Sequence, residues 1–383
     1  MHHTSYIELS RSALKNNIQF VKEHLHSNCR FSSVIKGNAY GHGIELFVPL
    51  AERCGVRHFS VFSADEALRA LRASQKKPDI LIMGMVEGDS LEWAIKNGIE
   101  FFVSDPNRFH KAIQIAKKLK TKAKIHVEVE TGMHRTGFSR KEFEMLFPFL
   151  KREKKFFHFR GLCTHFAGAE SIANYYRIKK QRTHFAQAQK KLQGEGLKPK
   201  YFHVACSAAA LRYPATQMDL ARIGILQYGF FPSNEIRIEM MRKKKRYISP
   251  LTKILSWKSE IMAVKEVRKG NFVGYGNFFL ANEDMRVAAI PVGYGQGFSR
   301  SMSNRGNVLI HGRHASVIGT VNMNMMMVDV THLENVEKGD EVVLIGQQGN
   351  NEISVASFGE MSEQMNYELL TRLPSEIPRK ITE

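Results

Sequence analysis

Lys36 ends a short apolar run, Val34-Ile35-Lys36, and Gly37-Asn38-Ala39-Tyr40-Gly41-His42-Gly43 follows at once. An apolar stretch from Ile44 to Leu50 comes next. The pattern predicts a buried strand over 33–36 that delivers a lysine to its end, then a tight turn into a helix. An ammonium there is costly to bury. Such a lysine loses its proton, forms a covalent bond, or snorkels past the strand end into water. The first two outcomes are the chemistry of a nucleophilic amine. Other polar residues follow apolar runs in the same manner: Glu130 to Arg135 after 124–129, Thr164-His165 after 159–163, and Ser207 after 202–205. Arg222 opens the run Arg222-Ile223-Gly224-Ile225.

The elements that must position these residues alternate. Strand patterns fall at 33–36, 58–62, 80–85, 100–103, 124–129, 159–164, 202–205 and 222–225, and helical spacing at 64–73, 91–96, 108–119, 140–150 and 176–192. Ser10 reads as the cap of a helix from Arg11, after a short strand at 7–10. Asp65 and Glu66 suit the first turn of their helix through the macrodipole. Eight strand patterns, each followed by a helix or a plausible place for one, imply parallel strands with helical crossovers, and a span reaching about residue 240 fits a (β/α)8 barrel. Chemistry in such a barrel sits at the C-terminal strand ends, where Lys36, Glu130 to Arg135, Thr164-His165 and Ser207 fall, while Arg222 lies in the eighth strand itself. A doubly wound sheet competes, but no GxGxxG follows an early strand. The basic run 242–246 and Pro250 mark a boundary. Beyond it, strand-like runs at 255–264, 285–291, 315–322, 326–330 and 341–345 predict a mostly-β domain, with a short helix near 355–361. The expected fold is therefore α/β: an N-terminal TIM-type (β/α)8 barrel over 1–243 and a C-terminal mostly-β domain over 244–383.

Bulk properties narrow the class. The chain has 383 residues, 43% hydrophobic and 24% charged, with a formal charge of +19. That charge favours anionic ligands, yet no zinc-finger, basic-zipper or RNA-binding pattern accompanies it, and no nucleic-acid partner is expected. Four cysteines without a CxxC pair argue against a disulfide framework or structural zinc and fit a reducing compartment. No signal pattern or membrane-length apolar run is present, so the expected location is cytoplasmic, with no membrane partner and no metal.

The motif around Lys36 resembles the pyridoxal 5'-phosphate (PLP) lysine motif of alanine racemases, and the resemblance runs along nearly the whole chain. Glu130-Thr131-Gly132-Met133-His134-Arg135-Thr136-Gly137, Thr164-His165-Phe166-Ala167, Cys206-Ser207-Ala208-Ala209 and Ala221-Arg222-Ile223-Gly224-Ile225 carry it through the first domain. Gly274-Tyr275-Gly276, Pro291-Val292-Gly293-Tyr294-Gly295, Asn322-Met323-Asn324 and Ile377-Pro378-Arg379 carry it through the second. The resemblance implies PLP held covalently by Lys36, with Tyr40, Ser207, Gly224 and Ile225 around the phosphate. It implies Arg222 at the pyridine nitrogen, where a permanently charged guanidinium leaves that nitrogen unprotonated. His203 resembles the residue that holds this arginine. Lys36 and Tyr275 would move protons on opposite faces of the substrate Cα, His165 would bond the tyrosine, and Arg135 and Met323 would receive the substrate carboxylate. In the family Tyr275 and Met323 enter from a partner subunit, so a homodimer acting on a small amino acid is implied, interconverting L- and D-alanine for peptidoglycan.

The chain also departs from the family pattern. Glu128 stands where many members have a carbamylated lysine, and Glu130 replaces an Asp; an anionic Glu128 pairing with Arg135 is expected to fill the carbamate's place. Ser375 falls where some members have a pocket tyrosine. A broad racemase acting on serine, lysine or arginine is therefore the alternative, and a non-catalytic PLP-binding protein is a further one.

Overall fold

The computed structural model describes residues 3–243, 248–362 and 366–383. By contact the chain forms two units: one of Ala13–Gly37 and Ile44–Thr252, the other of the residues up to Ser12, Asn38–Gly43 and Lys253–Glu383. The boundary expected at 243/244, and most of the basic run 242–246, lie outside the described residues.

The first strand, β1 (Ser5–Ser10), belongs to the second unit. The first unit is built on β2 (Arg30–Val34), β3 (His58–Val61), β4 (Asp79–Ile82), β5 (Glu100–Val103), β6 (Ala123–Glu128), β7 (Phe157–Cys163), β8 (Tyr201–His203) and β9 (Leu220–Ile223). All pair in parallel, in the order β8-β7-β6-β5-β4-β3-β2-β9. The Arg222 N–H donates to Ala205 O at 2.9 Å beside a parallel bridge from Cys206 to Arg222, so the ends of the ladder meet and the sheet closes into a barrel. This is the architecture that the strand–helix alternation predicts.

The crossovers are helices with ordinary stop and start chemistry. Asp105 caps the helix Pro106–Lys118 through the Arg108 N–H, with proline in the first turn, and Ser139 and Glu142 form a capping box on Arg140–Arg152. Their apolar faces cover the outside of strands that are buried on both sides.

The barrel bore is unusual in composition. Branched apolar residues normally fill it. Here Ser32, His58, Ser60, Glu100, His126 and His203 are all fully buried. Each of these polar groups needs a partner to offset its desolvation, and each has one.

The second unit is a mostly antiparallel sheet, with β10 (Leu255–Glu260), β11 (Ala263–Val267), β12 (Met285–Ile290), β13 (Asn307–Ile310), β14 (Arg313–Ile318), β15 (Met326–Asp329), β16 (Glu341–Gln348), β17 (Asn351–Ile353) and β18 (Arg379–Thr382). The path runs β11-β12-β15-β14-β13-β16-β10-β1-β18, with β17 on β16. β1 pairs Ile7 with Trp257 and Leu9 with Leu255, so its apolar side joins the buried Trp257, Phe298 and Phe358 cluster. No helix among the described residues is long and apolar enough to cross a membrane.

Candidate active site

β2 stops at Val34, two residues before Lys36. Lys36 instead opens a turn in which Gly37, Asn38, Ala39 and Tyr40 all have φ between 50° and 62°. This is a left-handed helical turn. Non-glycine residues adopt that conformation only at a cost, so its occurrence in three successive side chains marks a backbone held for a purpose. Glu66 accepts from the Gly37 N–H at 2.6 Å and from the Phe62 N–H at 2.9 Å, tying the turn to the end of β3.

The Lys36 side chain is open to solvent, and its amine has no hydrogen bond or ion pair among the described residues. The surrounding walls, followed by the charges of Arg135 and Arg222, nevertheless lower its pKa below the ordinary lysine value, against an opposing pull from Glu66. An amine so placed is a nucleophile and a base at lower pH than a surface lysine.

Arg222, only 4% exposed, is anchored on β9. Its Nη1 donates to His203 Nδ1 and to His203 O at 3.2 Å; its Nη2 donates to Thr164 O at 2.8 Å and Val204 O at 3.4 Å. Those bonds use four of its five N–H groups. The fifth, on Nε, has no partner among the described residues. Ser207 does not cap its helix; its hydroxyl accepts from the Gly224 N–H at 2.9 Å, and Ile225 begins a short 3-10 turn whose own geometry cannot use the Ile225 N–H. Together they place a hydroxyl, held by the Gly224 N–H, and the Ile225 backbone donor after β8 and β9.

The loop after β6 carries Arg135, which is exposed and makes no ion pair among the described residues. Glu130 braces that loop from within: its carboxylate accepts from the Gly132 N–H and, at 2.8 Å each, from the Met133 and His134 N–H groups. Glu128, 5% exposed, lies within electrostatic reach of Arg222 and Arg135, without an ion pair to either among the described residues, and the nearby Thr136 side chain also favours its ionised form. Burial raises its pKa against those three attractions. Among the described residues Glu128 therefore makes no direct ion pair with Arg135, and acts on it only as a nearby charge. His165 sits among Arg222, Arg135 and Lys36; desolvation first and those charges second push its pKa down to about 3, so it is a neutral imidazole. Gln181, fully buried, holds the loop, donating to His165 O at 3.0 Å and accepting from the Ala167 N–H at 2.9 Å.

The second unit carries the remaining candidates. Tyr40 packs on Tyr367 there, with ring centroids 6.0 Å apart. Tyr275 and Met323 border a hollow of about 510 Å³ that Phe278, Tyr294, Arg300 and Thr320 also line. Tyr275 is 75% exposed and Met323 57%. Ser375 is exposed and its hydroxyl donates to Glu376.

Two family models cover this chain: the alanine racemase N-terminal domain over residues 9–232 and the alanine racemase C-terminal domain over 254–381. The chain belongs to the alanine racemase family. An alanine racemase of Leptospira interrogans is 32% identical over 386 residues, covering 100% of this chain and 96% of that protein. An alanine racemase of Methanococcus maripaludis is 32% identical with 98% of each covered. Among solved structures, the Bacillus anthracis alanine racemase with bound L-Ala-P superposes with a TM-score of 0.90 at 29% identity, covering 100% of this chain and 96% of that one.

Three racemase-site features escape the sequence reading. Glu66 reads as a helix-dipole residue, yet it faces inward and clamps the lysine turn; its burial beside Ala67 and Ala70 is the signal that would have shown this. Glu130 reads as a replacement in a motif, yet it is the loop's own brace. Gln181 gives no local signal, because its partners lie 14 to 50 residues away.

Proposed function

We propose that this protein is an alanine racemase that uses PLP, with Lys36 and Tyr275 moving the α-proton on opposite faces of the substrate. The barrel residues fit the cofactor. Lys36 offers an amine with a destabilised ammonium, Arg222 a buried guanidinium with one N–H unpartnered among the described residues, and Ser207, oriented by the Gly224 N–H, and Ile225 a hydroxyl and a backbone donor suited to a phosphate. When bound, PLP supplies the electron withdrawal that makes the α-proton of an attached amino acid acidic.

The chain's own residues do the rest. Lys36 holds PLP covalently at rest and moves a proton at one face of Cα. Arg222 directs its Nε–H to the ring nitrogen and, staying charged, keeps that nitrogen unprotonated. Arg135 and the Met323 backbone take the substrate carboxylate, a group that a guanidinium fork matches. Tyr275 serves the other face, with the neutral His165 ring as its hydrogen-bond partner. Tyr40 completes the phosphate contacts. The high exposure of Tyr275 and Met323 supports a homodimer in which each subunit lends these residues to its partner. The product D-alanine feeds peptidoglycan synthesis in the cytoplasm.

The observation that carries this reading is that, among the described residues, the Lys36 amine has no hydrogen bond or ion pair and Arg222 keeps one N–H without a partner. Two measurements test it. Chiral chromatography of a panel of L-amino acids should show inversion of alanine well above serine, lysine and arginine. Borohydride reduction of the PLP-loaded protein should tag the peptide containing Lys36. A tag elsewhere, or bound PLP without inversion of any amino acid, overturns the reading.

A further inference from the structure

The proposed mechanism leaves unused a chain of buried polar groups in the barrel bore. Arg222 Nη1 donates to His203 Nδ1, His203 Nε2 lies 2.8 Å from His126 Nδ1, and His126 Nε2 lies 2.8 Å from Glu100 Oε2. His58 Nε2 approaches the same Glu100 oxygen at 3.3 Å, with its Nδ1 2.8 Å from the Ser32 hydroxyl, which is 2.6 Å from Ser60. Arg160 Nε donates to Glu100 Oε1 at 2.5 Å and Arg160 Nη2 to Asp79 at 3.0 Å.

The direction of every bond is forced from both ends. A guanidinium has no acceptor, so His203 Nδ1 must accept and its proton must sit on Nε2. That Nε2–H can only donate to His126 Nδ1, which puts the His126 proton on Nε2 as well. A carboxylate has no donor, so Glu100 requires the same arrangement from its side. The two requirements agree, and neither imidazole has room for a second proton without breaking a bond. Their basicities are consistent with this: His203 and His126 are lowered, chiefly by desolvation, and Glu100 is held well below the ordinary carboxylate range by His126 and His58 despite its burial.

The backbone is shaped around the same pair of rings. Gly161 on β7 is the cross-strand partner of His126. A Cβ at that position would collide with both His126 Nδ1 and His203 Nε2. The β6–β7 register also shifts between Ile125 and His126.

We propose that Glu100 is a positioning residue for the racemase site: through His126 and His203 it fixes the tautomers that aim the Arg222 guanidinium. A barrel filler of no functional consequence would not need a one-way chain that ends on the cofactor-facing arginine. The inference rests on the proposed PLP site only for what Arg222 faces; the tautomers themselves belong to the protein.

The first test uses the protein without cofactor. In ¹⁵N-histidine-labelled protein, NMR should show His126 and His203 as neutral Nε2–H forms with slowly exchanging, hydrogen-bonded protons, and Glu100→Gln should shift both. A resting Nδ1–H form of either ring overturns the proposal, whether or not PLP binds. The second test uses the PLP-loaded enzyme. Glu100→Gln should change the visible absorption of the bound cofactor. It should also raise, by roughly tenfold per turnover, the side reaction in which the substrate leaves as a 2-oxo acid and its amino group stays behind as pyridoxamine phosphate. If Glu100→Gln fails to fold, Gly161→Ala keeps every polar group while forcing the rings apart, and should move both readouts the same way. A variant that lowers only the melting temperature, with spectrum and side reaction unchanged, overturns the positioning role. Absence of PLP binding in the unsubstituted protein would instead sink the functional proposal and leave the tautomer test standing.

Discussion

The two units prepare their candidate residues in opposite ways. In the barrel, Arg222 is spread across four hydrogen bonds, Ser207 and Gly224 are bonded to each other, and the turn at Lys36 is clamped by Glu66. In the β unit, Tyr275, Phe278 and Met323 are mostly exposed, around an open hollow. A side chain locked in advance loses little freedom when a ligand arrives, whereas an exposed one must be ordered by whatever covers it. On the proposed reading, the contrast separates a floor of barrel side chains held in advance from a wall of β-unit side chains that a partner subunit would order, the division of labour expected of a homodimer with shared sites.

The largest effect should come from the floor. Lys36→Ala is expected to abolish covalent PLP attachment and reduce alanine inversion by more than about 10⁴-fold, combining loss of a nucleophile with loss of a base. Gel filtration with absorbance of the cofactor, alongside the chiral assay, would report both. Tyr275→Phe should lower inversion by about 10² to 10⁴-fold while PLP stays bound, because only the wall is changed. If Tyr275→Phe releases the cofactor, the separation between floor and wall is lost. Mixing the two variants after partial dissociation asks which chain supplies the wall. With exchange between subunits, random hybrids should recover about a quarter of the activity, since half the dimers would hold one intact site of two. Recovery indistinguishable from zero would place Tyr275 over its own barrel.

A smaller effect is expected where the barrel itself has an exposed residue. Arg135 has no ion pair among the described residues, but the loop carrying it is braced by the three N–H bonds to Glu130. Glu130→Ala should raise KM for alanine by about tenfold with little change in kcat, the pattern of lost ground-state and transition-state binding alike. An equal fall in kcat at constant KM would mean that the brace acts on chemistry instead.

The barrel strands are legible because a strand buried on both faces reads as a continuous apolar run, and helical spacing between such runs leaves little choice of topology. The edges of the β unit are less so. β18 carries Arg379 and Lys380, as an edge strand does, and hides its identity by that charge. β13 is short enough to merge with its turn. β1 is visible as a strand, but its partners β10 and β18 lie about 250 and about 370 residues away, and no local pattern encodes pairings of that length. The same limit explains the site. Lys36, Arg222 and Ser207 are readable by type and position. The left-handed turn is not, because Asn38, Ala39 and Tyr40 carry side chains where glycine would have announced positive φ. Nor is the bore network, since His126 meets Glu100 across 26 residues and His203 across 77.

The least dramatic prediction sharpens the comparison through stability. His126, His165 and His203 of the barrel have pKa values below the ordinary histidine value, His165 at about 3, while in the β unit His42 is lowered to about 4. Each is neutral when folded and gains a proton on unfolding once the pH is below about 6.5, so the unfolded chain binds more protons and stability falls on acidification. The slope is about 1.4 kcal/mol per pH unit for each such histidine between its two pKa values. Glu128, with its raised pKa, works in the opposite sense, but as a single group; Glu100 adds its own loss only at lower pH, as it is protonated below the unfolded value. His158 of β7 is lowered as well, so four of these five histidines are in the barrel and the barrel should loosen first. The chain has one tryptophan for each unit, Trp93 on a barrel helix and Trp257 in the β core. Emission from Trp93→Phe and Trp257→Phe variants, followed from pH 7 downward, should therefore show the Trp93 signal changing at higher pH than the Trp257 signal. The reverse order would mean that the buried imidazoles are better compensated than their desolvation implies, and that the prearranged floor is the sturdier of the two halves rather than the one that bears the electrostatic cost.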